Sequence, residues 1–287
     1  KPCQNDMRRE YHRALNLRRS IRSGRILVFG DEQAPGHLQD LPEILKLAKH
    51  YFRPKTVIHM GDMVDMNWAS PYAKDIENIN IERELAEARD YVQAIAGIFP
   101  RMVILESNHA EGRMKRMRQD GKVPNVLMKN LAELFGYPKG WKVAEEYITD
   151  GFVFRHGHKD SKGQNKLITE KMLIRYKQYL NLVNGHHHEC FGVSTKHVTV
   201  AEKGRLKEVV GAHSGCLMDT NHWIAQQYSN GYENVGFLVI EEGVIKPIIP
   251  ELDHKNRWTG ELYWKANGKT IGGQNKECYD NDNDNDV

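Results

Sequence analysis

The sequence predicts an α/β layered sheet. Short apolar runs alternate with segments of helical period, each run ends in a polar fragment, and the last third changes to closely spaced β segments. Arg25–Gly30 (RILVFG) is the first strand. Leu38–Phe52 follows, with Leu41, Leu45, Ala48 and Phe52 near helical period and Asp40-Leu41-Pro42 as a start signal. Thr56–Met60 (TVIHM) is the second strand, and Ile81, Leu85, Ala88, Val92 and Ile95 recur at three- and four-residue steps, predicting a long amphipathic helix. Arg101–Leu105 (RMVIL) is the third strand and Val126–Phe135 a further helix. Tyr147–Phe154 and Leu182–Val183 read as strands separated by an amphipathic helix around Leu167–Tyr179. Past Gly192, the segments Val198–Val200, Lys207–Val210, Gly236–Ile240 and Val244–Ile249 read as β structure that forms or extends a second sheet. In such a fold the ligand crevice lies beyond the carboxyl ends of the strands.

At 287 residues with 40% apolar content, the chain buries a full core, and one main domain of about 250 residues is expected. No window reaches the roughly 18 unbroken apolar residues of a membrane span. The four cysteines, Cys3, Cys190, Cys216 and Cys278, are scattered without CxxC spacing, which predicts reduced thiols in a cytoplasmic protein and excludes a zinc ribbon. The net charge of +3 is unevenly distributed. Residues 1–24 are rich in arginine, and the end of the chain alternates Asp and Asn. The organisation read from this is a basic helical extension over 1–24, a main domain over 25–252, and a peripheral extension over 253–287 with a disordered acidic tail. The basic front end suggests a polyanionic partner, or an arginine-rich helix packed on the domain or on a second subunit.

Four fragments carry the chemistry: Gly30-Asp31-Glu32-Gln33, Gly61-Asp62-Met63-Val64-Asp65, Ser107-Asn108-His109, and His156-Gly157 with Gly185-His186-His187-His188. Each ends an apolar run, so the fold delivers carboxylate, amide and imidazole donors to one crevice. Hard divalent ions take carboxylate and amide oxygens, and imidazole suits Mn, Fe and Zn. A carboxylate has two oxygens, so one Asp can bridge two ions. Two such ions held roughly 3.5–4 Å apart attack phosphate esters with a metal-bound hydroxide. A lone Asp after a strand is ordinarily a turn residue and a lone His ordinarily a structural one; it is the ordered set that points to a site.

The set resembles the calcineurin-like metallophosphoesterase superfamily, whose pattern is DxH, GDxxD, GNH, H and GHxH. The resemblance spans about Arg25 to Phe191, with weaker β segments continuing to about Leu252. It implies a four-layer α/β/β/α metallophosphoesterase sandwich with a binuclear site at the sheet edge. It implies that Asp31, Asp62 and His188, with Gln33 beside them, hold one metal, and that Asp62, Asn108, His156 and His186 hold the other. His109 resembles the family's catalytic histidine, acting on the leaving oxygen, and Asp65 the carboxylate that orients it. The two ions implied are divalent, Mn2+ first, with Mg2+, Fe, Ni2+ or Zn2+ as alternatives. Gln33 departs from the pattern by standing where the family usually has His, a variant shared with manganese-dependent ADP-ribose and CDP-alcohol pyrophosphatases. Met66-Asn67 replaces the Arg-Gly of protein Ser/Thr phosphatases and argues against that branch.

After Asn108-His109 come Arg113, Lys115, Arg116, Arg118 and Lys122 against only Glu111 and Asp120. These cations start beside the metals and are assigned to further phosphates of an extended substrate; solvated cations on a helix with an apolar Met114/Met117 face are the plainer alternative. His59, His158, His187, His213 and His222 are assigned no ligand role. The function read from the sequence is a binuclear metal-dependent phosphoesterase, foremost a nuclease or phosphodiesterase on DNA, RNA or nucleotides. A nucleotide pyrophosphatase and a phosphomonoesterase follow. The non-enzymatic alternative is a polyanion-binding protein whose metal site has decayed, beginning at Gln33.

Overall fold

The computed structural model describes residues 24–71, 80–120, 130–159, 168, 180–202, 205–228, 234–264 and 269–271. The basic residues 1–23, the acidic tail, Tyr72, Lys122 and all but Ile168 of the helix expected over Leu167–Tyr179 lie outside them.

Among the described residues the chain forms two sheets with helices. The first sheet has eight strands: β1 (Ile26–Phe29), β2 (Thr56–His59), β3 (Met102–Leu105), β4 (Trp141–Ala144), β10 (Phe237–Glu241), β11 (Val244–Leu252), β12 (Trp258–Trp264) and β13 (Lys269–Ile271), in the order β13-β12-β11-β10-β1-β2-β3-β4. Strands β1 to β4 run parallel, and β10 returns antiparallel to β1. The second sheet has five strands: β5 (Glu146–Thr149), β6 (Phe152–Arg155), β7 (Asn181–Asn184), β8 (Phe191–Glu202) and β9 (Arg205–Ser214), in the order β5-β6-β7-β9-β8.

The parallel strands are unbroken apolar runs because both faces are covered. Ile26, Val28 and Ile58 pack with Phe152, Phe154 and Val183 of the second sheet. Leu27 and Phe29 point the opposite way, into a core shared with α1 (Leu41–Phe52) and α2 (Ile81–Ile98). In α1, Leu41, Ile44, Leu45, Ala48 and Phe52 form the buried stripe, and Pro42 sits in the first turn, where its missing N–H costs nothing. In α2 the stripe is Ala88, Tyr91, Val92, Ile95 and Ile98, and the Asn80 side chain caps the helix by accepting from the Arg83 N–H at 2.9 Å. Short helices α3 (Arg113–Gln119), α4 (Leu131–Phe135) and α5 (Trp223–Tyr228) complete the described α-helices. On the outer face of the second sheet, Ile168 is buried against Gly211. No helix of the described residues is long and apolar enough to cross a membrane.

Three expectations change. The strand expected over Tyr147–Phe154 is a hairpin, β5 and β6, turned at Asp150-Gly151, both at positive φ (50° and 80°). Of the later β segments, only β8 and β9 join the second sheet, whereas β10 and β11 extend the first. Past Leu252, β12 and β13 continue the edge of the first sheet, with Leu262 fully buried.

Candidate metal centre

The loops that leave β1 and β2 stay laced together. The Asp31 N–H donates to the Gly61 carbonyl (3.0 Å), Gln33 N–H to Asp62 (2.9 Å), Ala34 N–H to Met63 (2.9 Å), and Asp65 N–H returns to Ala34 (3.1 Å). Asp31, Gln33 and Asp62 all take left-handed backbone (φ 57°, 51° and 52°), and so does His186 (φ 67°). Non-glycine residues held there carry strain that only a rigid surround sustains, a recurrent mark of functional loops. Gly61 is forced: at φ 101°, an added Cβ would lie 2.9 Å from His156 Nδ1 and 2.8 Å from Ser107 Cβ.

These loops converge. His156 Nε2 lies 2.8 Å from Asn108 Oδ1 and 3.1 Å from Asp62 Oδ2. One ligand atom each from Asp62, His156 and His186 lies within 4.8 Å of the others, a group able to hold a cation. Beside it, His188 Nε2 is 3.5 Å from Asp31 Oδ1 and 3.4 Å from the Gln33 amide nitrogen. The backbone N–H of His186 donates to both Asp31 carboxylate oxygens at 3.1 Å, tying the two clusters together.

A cation fits this donor set. Gln33 Oε1 is buried and accepts no hydrogen bond, as expected of an oxygen reserved for a metal, and Asp62 Oδ2 is buried against His156 Nε2. The Met60 carbonyl accepts a hydrogen bond from His156 Nδ1–H at 2.8 Å, which turns Nε2 toward the site as the ligand atom. Burial opposes charging His156, but Asp62 and then Asp31 outweigh it and raise its pKa to about 9. Burial likewise opposes charging Asp62, and His156 and His109 hold its carboxyl well below the usual range. Burial and the neighbouring His156 lower His186 to about 3, so its imidazole is neutral at pH 7.

At the edge of the cluster, the His109 N–H donates to Asp62 Oδ1 at 3.0 Å, and His109 Nδ1 donates to Asp65 Oδ1 at 2.6 Å. Its Nε2 faces the site, 4.0 Å from Asp62 Oδ2. His109 and Asn108 ride a π-helical turn, Asn108–Gly112, that feeds directly into α3. Lys115, Arg116 and Arg118 are exposed on α3, whereas Arg113, read from the sequence as a substrate cation, is buried with its guanidinium on Asp65 (3.2 Å). A shallow cleft lined by Arg155, His158, Lys159 and Glu106 opens onto His156.

Sequence reasoning missed a buried support. His59 Nδ1 accepts the Gly61 N–H (3.1 Å), so its Nε2–H points to Glu32 Oε2 (2.8 Å), and the Tyr91 hydroxyl donates to Glu32 Oε1 (3.0 Å). This chain pins the Gly61-Asp62 turn to the first motif loop and to α2. Its one sequence signal was a charged residue, Glu32, between two proposed ligands.

The chain matches the family described as calcineurin-like phosphoesterase over residues 24–222. It belongs to that family. Family members use divalent metals, and the Asp62, His156 and His186 group of this calcineurin-like phosphoesterase suits one. No curated protein matches the chain. Among solved structures, Vps29 of Chaetomium thermophilum is 12% identical with a TM-score of 0.40, over 87% of this chain and 98% of that one. A single mutant of Vps29 from Entamoeba histolytica is 14% identical with a TM-score of 0.37, over 86% of this chain and 96% of that one. The nuclease MPE of Pseudomonas putida is 12% identical with a TM-score of 0.34, over 86% of each chain.

Proposed function

We propose that this calcineurin-like phosphoesterase hydrolyses phosphodiesters of nucleic acids or nucleotides, with two divalent ions, Mn2+ foremost, in the site. The observation that carries the reading is the convergence of Asp62, Asn108, His156 and His186 on one point with the His109–Asp65 pair at its rim. Asp62, Asn108, His156 and His186 would hold one ion, and Asp31, Asp62, His188 and Gln33 the other. Bound there, the ions supply Lewis acidity, which acidifies water and neutralises phosphoryl oxygens. The chain's own residues do the rest. Asp62, anchored by the His109 N–H, fixes the spacing of the two clusters. His109 presents Nε2 to the leaving oxygen, with Asp65 holding its tautomer. The exposed Lys115, Arg116 and Arg118 give an extended polyanion a grip beyond the scissile phosphate. A cytoplasmic setting goes with this reading, since the cysteines show no disulfide or zinc spacing.

The test is Asp62→Asn with bis-p-nitrophenyl phosphate and Mn2+. Loss of nearly all turnover is expected, and near-wild-type rates would refute the site. His109→Ala should keep metal and lose about 10²–10⁴-fold in rate on a dinucleotide, whose alkoxide leaving group needs a proton. A panel of single- and double-stranded DNA, RNA and dinucleoside polyphosphates then separates nuclease from pyrophosphatase. About two Mn2+ per chain are required by the enzyme; the polyanion-binding alternative tolerates one or none.

A further inference from the structure

We propose that Arg113 is a positioning residue that acts on the leaving oxygen through Asp65 and His109; the proposal rests on the reading of His109 given above. Arg113 opens α3, four residues after His109, so one continuous segment returns two side chains to the same carboxylate. His109 Nδ1 engages Asp65 Oδ1 at 2.6 Å, while Arg113 Nη1 lies 3.2 Å from Asp65 Oδ2 and also donates to the Asp65 backbone carbonyl. Asp65 is fully buried and Arg113 only 4% exposed.

A buried carboxylate held at one oxygen rotates about its terminal torsion and carries the imidazole with it. Held at both oxygens and at its own carbonyl, Asp65 presents Oδ1 in one orientation, and His109 Nε2 is thereby aimed into the site. The guanidinium also compensates the buried charge of Asp65. Glu84 of α2 acts on the same carboxylate's surroundings: its carboxyl is pushed up to about 7 by burial and by Asp65, with Arg113 opposing the shift. One guanidinium nitrogen, Nη1, reaches both the side chain and the backbone carbonyl of Asp65. A substrate-gripping cation would present these donors to solvent, as the exposed Lys115 and Arg116 do on the same helix.

The experiment compares Arg113→Met, Arg113→Lys and His109→Ala on two phosphodiesters. One is bis-p-nitrophenyl phosphate, whose leaving group departs without a proton. The other is a dinucleotide, whose alkoxide leaving group needs one. Arg113→Met should lower kcat on the dinucleotide by about 10–10²-fold, with a markedly smaller loss on the aryl ester and KM within about twofold. Arg113→Lys should recover part of the loss. In a His109→Ala background, Arg113→Met should cost nothing further, because both act on one step. A raised KM at unchanged kcat, or equal losses on both substrates, would overturn the proposal. If His109→Ala shows no preference between leaving groups, the assignment of His109 fails and this proposal with it. If His109→Ala is selective and Arg113→Met is not, this proposal fails alone. Should Arg113→Met not fold, Arg113→Lys carries the same comparison.

Discussion

His156 Nε2 lies 3.1 Å from Asp62 Oδ2, and neither side chain is more than 1% exposed. In the metal-free chain this contact is a buried ion pair, and a cation entering the cluster competes with the imidazole proton for the same lone pair.

Metal affinity should therefore rise with pH. His156 is raised from 6.5 to about 9, so its protonation stabilises the metal-free fold fully below about 6.5, and that stability is lost as pH rises through about 9. Binding expels the proton, so calorimetric Mn2+ titrations at pH 7 in buffers of different ionisation enthalpy should report release of roughly one proton. Heats independent of the buffer would contradict the exchange.

Gln33 Oε1 is buried and unpartnered, while the amide nitrogen faces His188 at 3.4 Å. Gln33→His offers an imidazole in place of a neutral amide. The weaker of two Mn2+ sites should tighten on the order of tenfold. An unchanged titration followed by electron paramagnetic resonance would remove Gln33 from the ligand set.

Gly185 approaches Asp31 so closely that an added Cβ would lie 2.7 Å from Asp31 Oδ2. Gly185→Ala should displace that carboxylate, lower occupancy of the Asp31/His188 cluster and reduce turnover. Gly61→Ala also forces φ 101° on an L residue, and should cost roughly 1–3 kcal/mol of stability as well. Elemental analysis with thermal melts separates the two; wild-type metal content in Gly185→Ala would refute the packing argument.

Glu84 Oε1 accepts the Asn67 N–H at 2.6 Å, and burial and then Asp65 raise its pKa from 4.5 to about 7. The folded chain keeps this proton where the unfolded chain has lost it. Stability therefore falls as pH rises from about 4.5 through about 7. Glu84→Gln keeps the acceptor without the charge, and should be more stable than wild type at pH 8 by roughly 1–3 kcal/mol, with no gain at pH 4. Parallel melting curves at the two pH values would count against it.

Much of the site was legible because its signals are local. Asp31, Asp62 and Asn108 each follow a four-residue apolar strand, and strand ends deliver side chains to one crevice whatever the remainder does. The β5–β6 hairpin carried an equally local Asp150-Gly151 signal that the apolar run around it obscured.

The sequence by itself determined the strand-and-motif order, the chemistry of the donors and hence the family. Tertiary structure alone decided which sheet each late strand joins, because period two reports a strand and not its partner. It decided that Arg113 turns inward to Asp65 while Lys115 and Arg116 face water, because composition records a charge but burial sets its direction. It decided, too, that Glu32, His59 and Tyr91 meet beneath the Gly61-Asp62 turn, a contact across three elements that no spacing along the chain encodes.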